Sequence, residues 1–318
     1  MTSVEIATEF SRRLGDGLQA GLDPLSAAER AATALPSAAA ARLGEVVRRL
    51  RSGPGDDPWG FDEPLVELLD PALKLLYETW WRVDTVGIAN VPAQGRGMIV
   101  ANHGGSLLPF DAAMISTAII LAHPQPRRPR FLALDWGFEQ RLVEPLLRRL
   151  GAVPADPDNA RRLLEREQLL GVFPEGARGS GKPFSARYRL QGFGRGGFVE
   201  VALRCRCPII PVAVIGCDEI YPMLADIPGL AETLGTPFVP ITPTFPWLGP
   251  LGLIPLPVKW RIEFCAPIEL AEYPPQAAED RTLVAEIVGR VEEAIASALQ
   301  RNLEIRGPAF ALAPPPPE

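Results

Sequence analysis

Short apolar runs alternate with helical segments from about residue 83 onward, and this alternation leaves few folds open to the chain. Five runs are apolar enough to be buried strands, at residues 98–101, 131–134, 169–173, 209–215 and 260–265. The segments between and after them predict helices at residues 112–121, 138–150, 158–167, 197–204 and 281–302. Strands that alternate with helices are typical of an α/β fold, so we predict a mainly parallel sheet flanked by helices.

The two ends of the chain differ in composition from this central part. Residues 1–60 predict a helical N-terminal extension and a linker, with helices at 27–35 and 38–50 before the turn-rich run RSGPGDDPWGFDEP. Residues 61–305 form the predicted α/β domain, which opens with an amphipathic helix at 65–81. Residues 306–318 end in APPPPE and predict a Pro-rich tail.

Charge and composition exclude several classes of function. The 318 residues carry a formal net charge of −6, whereas nucleic-acid-binding domains are usually basic, so we expect no nucleic-acid partner. Two His and four Cys, the latter in or beside apolar stretches, predict a cytoplasmic protein with reduced thiols and no metal or other cofactor. The opening run MTSVEIATEF lacks the apolar core of a secretory signal, and no apolar stretch reaches the roughly 18 residues of a membrane-spanning helix.

A histidine and an aspartate follow the predicted strand at 98–101, in the run NHGGSLLPFD. His103 lies in a strand-to-helix loop, at the edge of a parallel sheet where ligands usually bind, and Asp111 stands at the start of the next helix. Gly104 and Gly105 allow the backbone to turn tightly beside a substrate. A carboxylate on one ring nitrogen fixes the tautomer and stabilises the charged ring. The motif predicts a general base for a hydroxyl, with a purely structural pair as the alternative.

A glycine-rich run with charged side chains, VFPEGARGSGK, ends the predicted strand at 169–173 and continues beyond it. Glu175, Gly176, Arg178 and Lys182 offer side chains and amides that bind hydroxyls and phosphates. Basic residues outnumber acidic ones from 175 to 206, at Arg178, Lys182, Arg187, Arg189, Arg195, Arg204 and Arg206. This surplus predicts either a site for an anionic ligand or a solvated basic face.

Two nucleotide-binding patterns overlap this stretch, and both fit poorly. The run at 176–182 matches a P-loop, with Asp218 as a candidate second acid, but Pro183 replaces the Ser or Thr that holds magnesium. The glycines of the run at 192–197 match a dinucleotide fingerprint, but the preceding residues 186–191 make a poor buried strand. A P-loop enzyme remains an alternative function.

An uncharged run of 26 residues with seven prolines, TLGTPFVPITPTFPWLGPLGLIPLPV, occupies positions 233–258. The prolines exclude a continuous membrane-spanning helix. The run predicts either a loop buried on the sheet or an apolar loop that lines a lipid-sized groove or enters the membrane interface, a place that suits Phe245 and Trp247.

Taken together, these blocks resemble the lysophospholipid acyltransferase superfamily, which comprises glycerolipid acyltransferases similar to 1-acylglycerol-3-phosphate acyltransferase. The resemblance covers roughly residues 80–270. It rests on VDTVGIANVP at 83–92, NHGGSLLPFD at 102–111, FPEG followed by Arg178, and CPIIPVAVI at 207–215. It implies direct acyl transfer from acyl-CoA or acyl carrier protein to a lipid hydroxyl, by an enzyme peripherally associated with a membrane surface.

The resemblance also implies roles for individual residues. His103 would take the proton of the acceptor hydroxyl while Asp111 orients it. Glu175 and Gly176 would position the acceptor, and Arg178 and Lys182 would meet the phosphates of the acyl donor. Backbone amides would stabilise the oxyanion, near Gly104, Gly105 or Gly176.

The sequence departs from the family pattern at two places. Seven residues separate His103 from Asp111, where the family usually has four, so the loop is longer. By spacing, Pro157 stands where the family usually has a phosphate-binding Arg. The second departure favours a neutral acceptor, such as mono- or diacylglycerol, over a glycerol phosphate. A catalytically silent lipid-binding scaffold and a thioesterase are further alternatives.

Overall fold

The computed structural model describes residues 3–105, 108–140 and 143–310. Ser106 and Leu107 of the first motif, Arg141 and Leu142 of a predicted helix, and positions 311–318 of the predicted tail lie outside the described residues. The helices are α1 (Ser3–Gln19), α2 (Pro24–Ala32), α3 (Ser37–Arg51), α4 (Glu63–Leu75), α5 (Phe110–Ala122), α6 (Asp135–Glu139), α7 (Glu144–Arg149), α8 (Pro157–Glu165), α9 (Ala177–Ser180), α10 (Gly197–Arg204), α11 (Pro228–Leu234) and α12 (Arg281–Arg306). The strands are β1 (Asp84–Val86), β2 (Gly97–Ala101), β3 (Arg130–Ala133), β4 (Val153–Pro154), β5 (Leu169–Val172), β6 (Ile209–Ile215), β7 (Ala225–Asp226), β8 (Pro240–Ile241) and β9 (Arg261–Phe264).

Within the described residues, seven strands form one sheet in the order β1-β9-β6-β2-β5-β3-β4. Neighbouring strands run parallel except for β6 and β9, which are antiparallel. The predicted α/β fold with a mainly parallel sheet is therefore confirmed. The central strands β2, β5 and β6 are buried along their whole length, which is why they appear in the sequence as continuous apolar runs.

Helices cover both faces of this sheet. Side chains of α8, α10 and α12 pack on the face that includes Met98 and Val100, while α5 and the region after α4 pack on the face that includes Ile99 and Ala101. Successive strand residues alternate between the two cores, as the pleat requires. The loops after β2, β5 and β6 meet at one edge, because these strands are parallel neighbours.

Two predicted helices differ from the observed ones. The helix predicted at 138–150 is wrong, because the chain forms the short helices α6 and α7 instead. Pro145 lies in the first turn of α7, where backbone N–H groups have no partner within the helix. The N–H that proline lacks therefore costs no hydrogen bond, and a new helix starts there. The helix predicted at 65–81 is observed as α4, which passes through Pro71 and continues as a π-helical turn, Leu76–Trp80.

The N-terminal helices are tied to the sheet domain by a buried carboxylate. Asp62 is 1% exposed and accepts hydrogen bonds from Arg49 of α3 at 2.8 Å and from Arg149 of α7 at 2.6 Å. An unpaired charge in this position would be costly, so the three side chains fix how α3 meets α4 and α7. The division of the chain at residues 60 and 305 stays a prediction.

The uncharged run at 233–258 is partly buried and partly exposed. Phe238, Val239 and Thr242 are buried, whereas Trp247 is 71% and Leu248 56% exposed. The buried part fits the predicted loop on the sheet, and the predicted contact of the exposed part with lipid stays a prediction. No helix within the described residues combines the length and the hydropathy that a bilayer-crossing segment needs.

Candidate active site

The segment after β2, residues 102–105, carries His103 and is fixed at its first residue. The Asn102 side chain is fully buried and exchanges two hydrogen bonds with the backbone of Val214 in β6. Its Nδ2 donates to the carbonyl at 3.0 Å, and its Oδ1 accepts from the amide at 2.7 Å. The loop, which we call the His103 loop, thus leaves the sheet at a defined angle.

His103 and Asp111 form a hydrogen-bonded pair despite the longer spacing. Nδ1 of His103 lies 2.6 Å from Oδ2 of Asp111, and the carboxylate is fully buried in the first turn of α5. The same Oδ2 accepts from the Gly104 amide at 3.0 Å. Gly105 has φ = +89°, in the left-handed region that glycine adopts without strain, so the longer loop can fold back on Asp111.

The imidazole of His103 is oriented by its neighbours and open at one nitrogen. It stacks on the ring of Phe173 with centroids 4.3 Å apart, and Phe173 stacks in turn on Phe131. The side chain is 16% exposed. Nε2 makes no hydrogen bond to any residue within 3–105, 108–140 or 143–310, so it is available to a bound hydroxyl.

Two opposing effects set the pKa of His103. Burial lowers it, but the charge and hydrogen bond of Asp111 raise it more, so the pKa lies above the ordinary value of 6.5. Glu175 adds to the upward shift and Lys182 opposes it. The site therefore stabilises the imidazolium that forms when His103 accepts a proton, and a general base needs this stabilisation.

Glu175 supports the His103 loop from the turn that follows the neighbouring strand β5. The side chain is 2% exposed, and its Oε1 accepts from the His103 amide at 2.8 Å. Its Oε2 accepts from the Gln191 amide at 2.7 Å. The carboxylate thus has a partner on each oxygen. Its predicted contact with the acceptor stays a prediction, while the structure shows that it holds two loops together.

The amides predicted to stabilise an oxyanion differ in availability. The Gly104 amide donates to Asp111 and the Gly176 amide donates to the carbonyl of Phe173 at 3.0 Å. The amide of Gly105 makes no hydrogen bond to another described residue. Of the three predicted donors, the Gly105 amide is the one left to bind an oxyanion.

The two predicted phosphate ligands lie in different environments. Arg178 is exposed on α9, and it donates a hydrogen bond to the carbonyl of Gly192 at 3.4 Å. Lys182 is 7% exposed, and its Nζ donates to the carbonyl of His103 at 2.9 Å and lies 3.2 Å from Oδ2 of Asp218. The predicted contact of Lys182 with donor phosphates does not fit this inward position.

Two residues of the site have no predicted role in it. Asp218, which the sequence suggested only as a nucleotide-site acid, lies beneath the His103 loop. The sequence pattern that drew attention to it was an apolar strand followed by an acidic residue. Gly179 is required by packing, since a Cβ there would lie 2.7 Å from Cβ of Glu175 and 2.9 Å from Cβ of His103. No local pattern marks that close approach.

Neither nucleotide-binding pattern forms its usual structure. The P-loop pattern at 176–182 folds as the short helix α9, with Lys182 paired inside the protein, so no open phosphate cradle is present among these residues. The glycines at 192–197 are preceded by a 3-10 turn at Phe184–Ala186 and a loop, not by a strand. Within the described residues, no group of three or more His, Cys, Asp or Glu side chains is placed to hold a metal ion.

Comparison with known proteins assigns the family. A family model described as Acyltransferase matches residues 82–215, a range that contains His103, Asp111 and Glu175. An uncharacterized protein of Mycobacterium tuberculosis (strain H37Rv) is 41% identical over 97% of this chain and 86% of its own length. The chain belongs to the acyltransferase family. The resemblance noted in the sequence is thereby confirmed, and the protein is an acyltransferase.

Three further similarities cover different shares of the chain. An uncharacterized protein of Mycobacterium leprae is 42% identical over 85% of this acyltransferase chain and 74% of its own length. Phytyl ester synthase 1, chloroplastic, of Arabidopsis thaliana is 29% identical over 44% of this chain and 20% of its own length. The crystal structure of the 1-acyl-sn-glycerophosphate acyltransferase of Thermotoga maritima aligns with 79% of this chain and 86% of its own chain. The TM-score is 0.45 and the sequence identity is 20%.

Proposed function

We propose that this acyltransferase moves a fatty acyl group from a phosphopantetheine thioester to a lipid hydroxyl at a membrane surface. His103 is the general base and Asp111 orients it. The observation that carries the proposal is the His103 ring, held through Nδ1 by a buried carboxylate while Nε2 remains open. This is the arrangement that takes a proton from a hydroxyl and returns it later in the reaction.

The proposed transfer is a direct displacement at the thioester carbonyl. Nε2 of His103 removes the hydroxyl proton as the acceptor oxygen attacks, and a tetrahedral oxyanion forms beside the Gly105 amide. The carbon–sulfur bond then breaks, and the imidazolium gives its proton to the departing thiolate. One ester and one free thiol result, and His103 returns to its neutral state.

We propose a neutral acceptor of the glycerolipid class, such as mono- or diacylglycerol. Pro157, which occupies the position expected for a phosphate-binding Arg, is the first residue of α8 and offers neither a charge nor an N–H. The Arabidopsis relative supports an ester-forming reaction, since its name states that it makes phytyl esters.

The acceptor can be identified by product analysis. Purified protein is incubated with palmitoyl-CoA and vesicles that contain diacylglycerol, monoacylglycerol or lysophosphatidate, and ester products are measured by mass spectrometry. We expect ester formation with a neutral acceptor and little with lysophosphatidate. Preferred acylation of lysophosphatidate contradicts the neutral acceptor, and vesicle binding without any ester product supports a silent scaffold.

An exposed basic patch supports a donor that carries phosphates. Arg178, Arg187, Arg189 and Arg195 are all exposed, and none of them forms a salt bridge with another described residue. The hydrogen bond from Arg178 to the Gly192 carbonyl brings α9 beside the loop that carries Arg189 and Arg195. A phosphopantetheine thioester, as acyl-CoA or as acyl carrier protein, has the charge that such a patch binds.

Reversing the charge of Arg178 tests this donor site. We expect Arg178→Glu to raise KM for palmitoyl-CoA about tenfold, the cost of one charged hydrogen bond, with kcat nearly unchanged. Arg42→Glu, an exposed change on α3, serves as the control. Parallel assays with acyl carrier protein show which donor responds, and an unchanged KM for both donors contradicts the assignment.

The raised pKa of His103 predicts how activity depends on pH. The base works only when neutral, and its pKa lies above 6.5, so kcat/KM is expected to rise with pH through that raised pKa and then level off. The measurement is a profile of kcat/KM against pH with ester product as the readout. A profile that falls over the same range would exclude a neutral His103 as the active form.

A surface of exposed apolar side chains supports peripheral contact with a membrane. We define this apolar surface by residues from the run at 233–258, from the end of α4 and from the π-helical turn after it. They are between 37% and 71% exposed: Leu75, Trp80, Trp247, Leu248, Leu253 and Ile254. Nε1 of Trp80 donates to the carbonyl of Pro255 at 3.0 Å and joins the two segments. Large exposed apolar side chains, with Trp among them, are typical of surfaces that enter the lipid interface.

The apolar surface lies close to the catalytic elements. Tyr221 donates a hydrogen bond to the carbonyl of Leu253, and its ring lies 6.4 Å from that of Phe110, the residue before Asp111. The Leu256 amide donates to the carbonyl of Ile220 at 3.0 Å. A membrane that meets this surface therefore brings lipid acceptors to the side of the molecule where α5 begins.

Removing two apolar side chains tests membrane contact. We expect Trp247→Ser/Leu248→Ser to weaken binding to phosphatidylcholine–phosphatidylglycerol vesicles about tenfold or more, because both side chains lose their transfer into the interface. Co-sedimentation with vesicles is the measurement. Leu18→Ser, which removes an exposed apolar side chain of α1, is the control. Equal binding by the double variant and the wild type contradicts this surface.

A further inference from the structure

The two residues that the sequence linked to nucleotide patterns, Lys182 and Asp218, meet beneath the His103 loop. Lys182 follows α9, and Asp218 lies in the 3-10 turn Cys217–Glu219 after β6. Their side chains are 3% and 5% exposed, with Nζ 3.2 Å from Oδ2. Burying two charges costs desolvation free energy, and a protein with apolar residues of similar size in their place is often equally stable. Stability alone therefore does not explain the pair.

Both members of the pair reach the backbone of the His103 loop. Nζ of Lys182 donates to the carbonyl of His103 at 2.9 Å. Asp218 packs against Gly104, where a Cβ would lie 2.3 Å from its Oδ1. Its Oδ2 also accepts from the Tyr188 amide at 2.8 Å, so the carboxylate joins the His103 loop to the chain after α9.

The pair completes a set of buried charges around one residue. Glu175 binds the amide of His103, Lys182 binds its carbonyl and Asp111 binds its ring. With the N–H and the C=O of His103 held from different elements, the two peptide groups that flank its Cα have little freedom to rotate. The direction of the ring follows from the backbone conformation that they fix.

We propose that Lys182 and Asp218 are a positioning pair for the acyl transfer: they hold the backbone of His103 so that its ring stays against Asp111 with Nε2 toward the acceptor. This inference rests on the proposed role of His103. Neither residue touches substrate, and neither gives or takes a proton. Lys182 thus acts through His103 instead of through the donor phosphates.

The double variant Lys182→Met/Asp218→Asn tests the pair without a change in net charge. Met retains the length of Lys, and Asn keeps an acceptor for the Tyr188 amide. We expect an unchanged melting temperature and an unchanged KM, with kcat about 10²-fold lower, as for a small misplacement of a reacting group. Removal of the Lys182 charge by itself would raise the pKa of His103, whereas a weakened contact with Asp111 lowers it toward 6.5. We expect the second effect to be the larger one, so a downward shift reports the loss of positioning.

The pKa of His103 can be followed by NMR independently of activity. The chain has two His, and His103→Ala assigns the signals. The control removes another ion pair, Arg128 with Asp70 at 2.6 Å, as Arg128→Met/Asp70→Asn, and we expect it to leave kcat and the His103 pKa unchanged. A Lys182/Asp218 variant that keeps the wild-type kcat and His103 pKa overturns the inference.

Two further results remain decisive. If the double variant does not fold, Asp218→Asn alone, which keeps Lys182 and the acceptor for Tyr188, is expected to give a smaller fall in kcat and a smaller downward shift of the His103 pKa. Wild-type values for both quantities overturn the inference. If the wild type transfers no acyl group, the NMR titration still decides: a downward shift supports the pair while the proposed function fails.

Discussion

Replacing His103 by Ala is expected to lower kcat for acyl transfer by about 10²–10⁴-fold, the usual contribution of a positioned general base. The variant should fold normally, because Glu175 and Lys182 hold the backbone of His103 and do not bind its ring. Asp111 loses one partner but keeps the amides of Gly104 and Ala112. The measurement is kcat from ester formation, with the melting temperature recorded alongside.

The other histidine of the chain provides a matched control. His123 follows α5 and is 8% exposed, and its Nε2 lies 3.0 Å from the carbonyl of Val91. His123→Gln removes an imidazole whose hydrogen-bond partners among the described residues are all backbone atoms, so we expect kcat within a few-fold of wild type. Comparable losses in the two variants, or full activity in His103→Ala, contradict His103 as the base.

Replacing Asp111 by Asn is expected to lower kcat by a similar factor, about 10²–10⁴-fold, because the ring loses its fixed tautomer. Oδ2 of Asp111 accepts from both His103 and Gly104, and Oδ1 accepts from Ala112. The Asn side chain offers one oxygen and one NH₂ group. At least one of these three hydrogen-bond donors would therefore face the NH₂ group instead of an acceptor. Steady-state kinetics and the kcat/KM profile against pH are the measurements.

The pH profile separates orientation from a general loss of structure. Asp111 raises the pKa of His103, so in Asp111→Asn the rise of kcat/KM should move to lower pH. Asp280→Asn is the control, since Asp280 is likewise a carboxylate at the start of a helix, where it accepts from Thr282 and Leu283. A wild-type rate and profile in Asp111→Asn contradict its role.

Strands with long apolar runs were predictable, and short edge strands were not. The prediction at 209–215 matches β6 residue for residue, because a strand that is buried on both faces is apolar throughout. β1 and β4 have three and two residues, too few for any periodic pattern. The antiparallel direction of β9 depends on its long connection to β6 and has no local signal.

Residues of the candidate site were found from sequence more readily than their contacts. His103, Asp111, Glu175 and Arg178 stand in motifs at the ends of strands, which a parallel sheet brings to one edge. Lys182 was predicted to face phosphates because basic residues in glycine-rich loops often do. Its burial depends on Asp218, a partner on another element, and a single sequence does not show that pairing.

The most direct test of the proposed function compares thiol release with ester formation in one reaction. Purified protein is given palmitoyl-CoA and vesicles, with and without diacylglycerol, and free CoA and ester product are counted in the same sample. We expect one ester for each CoA released, dependence on the acceptor, and loss of both in His103→Ala. Release at the same rate without acceptor would show a thioesterase, and no release with any acceptor would contradict acyl transfer by His103.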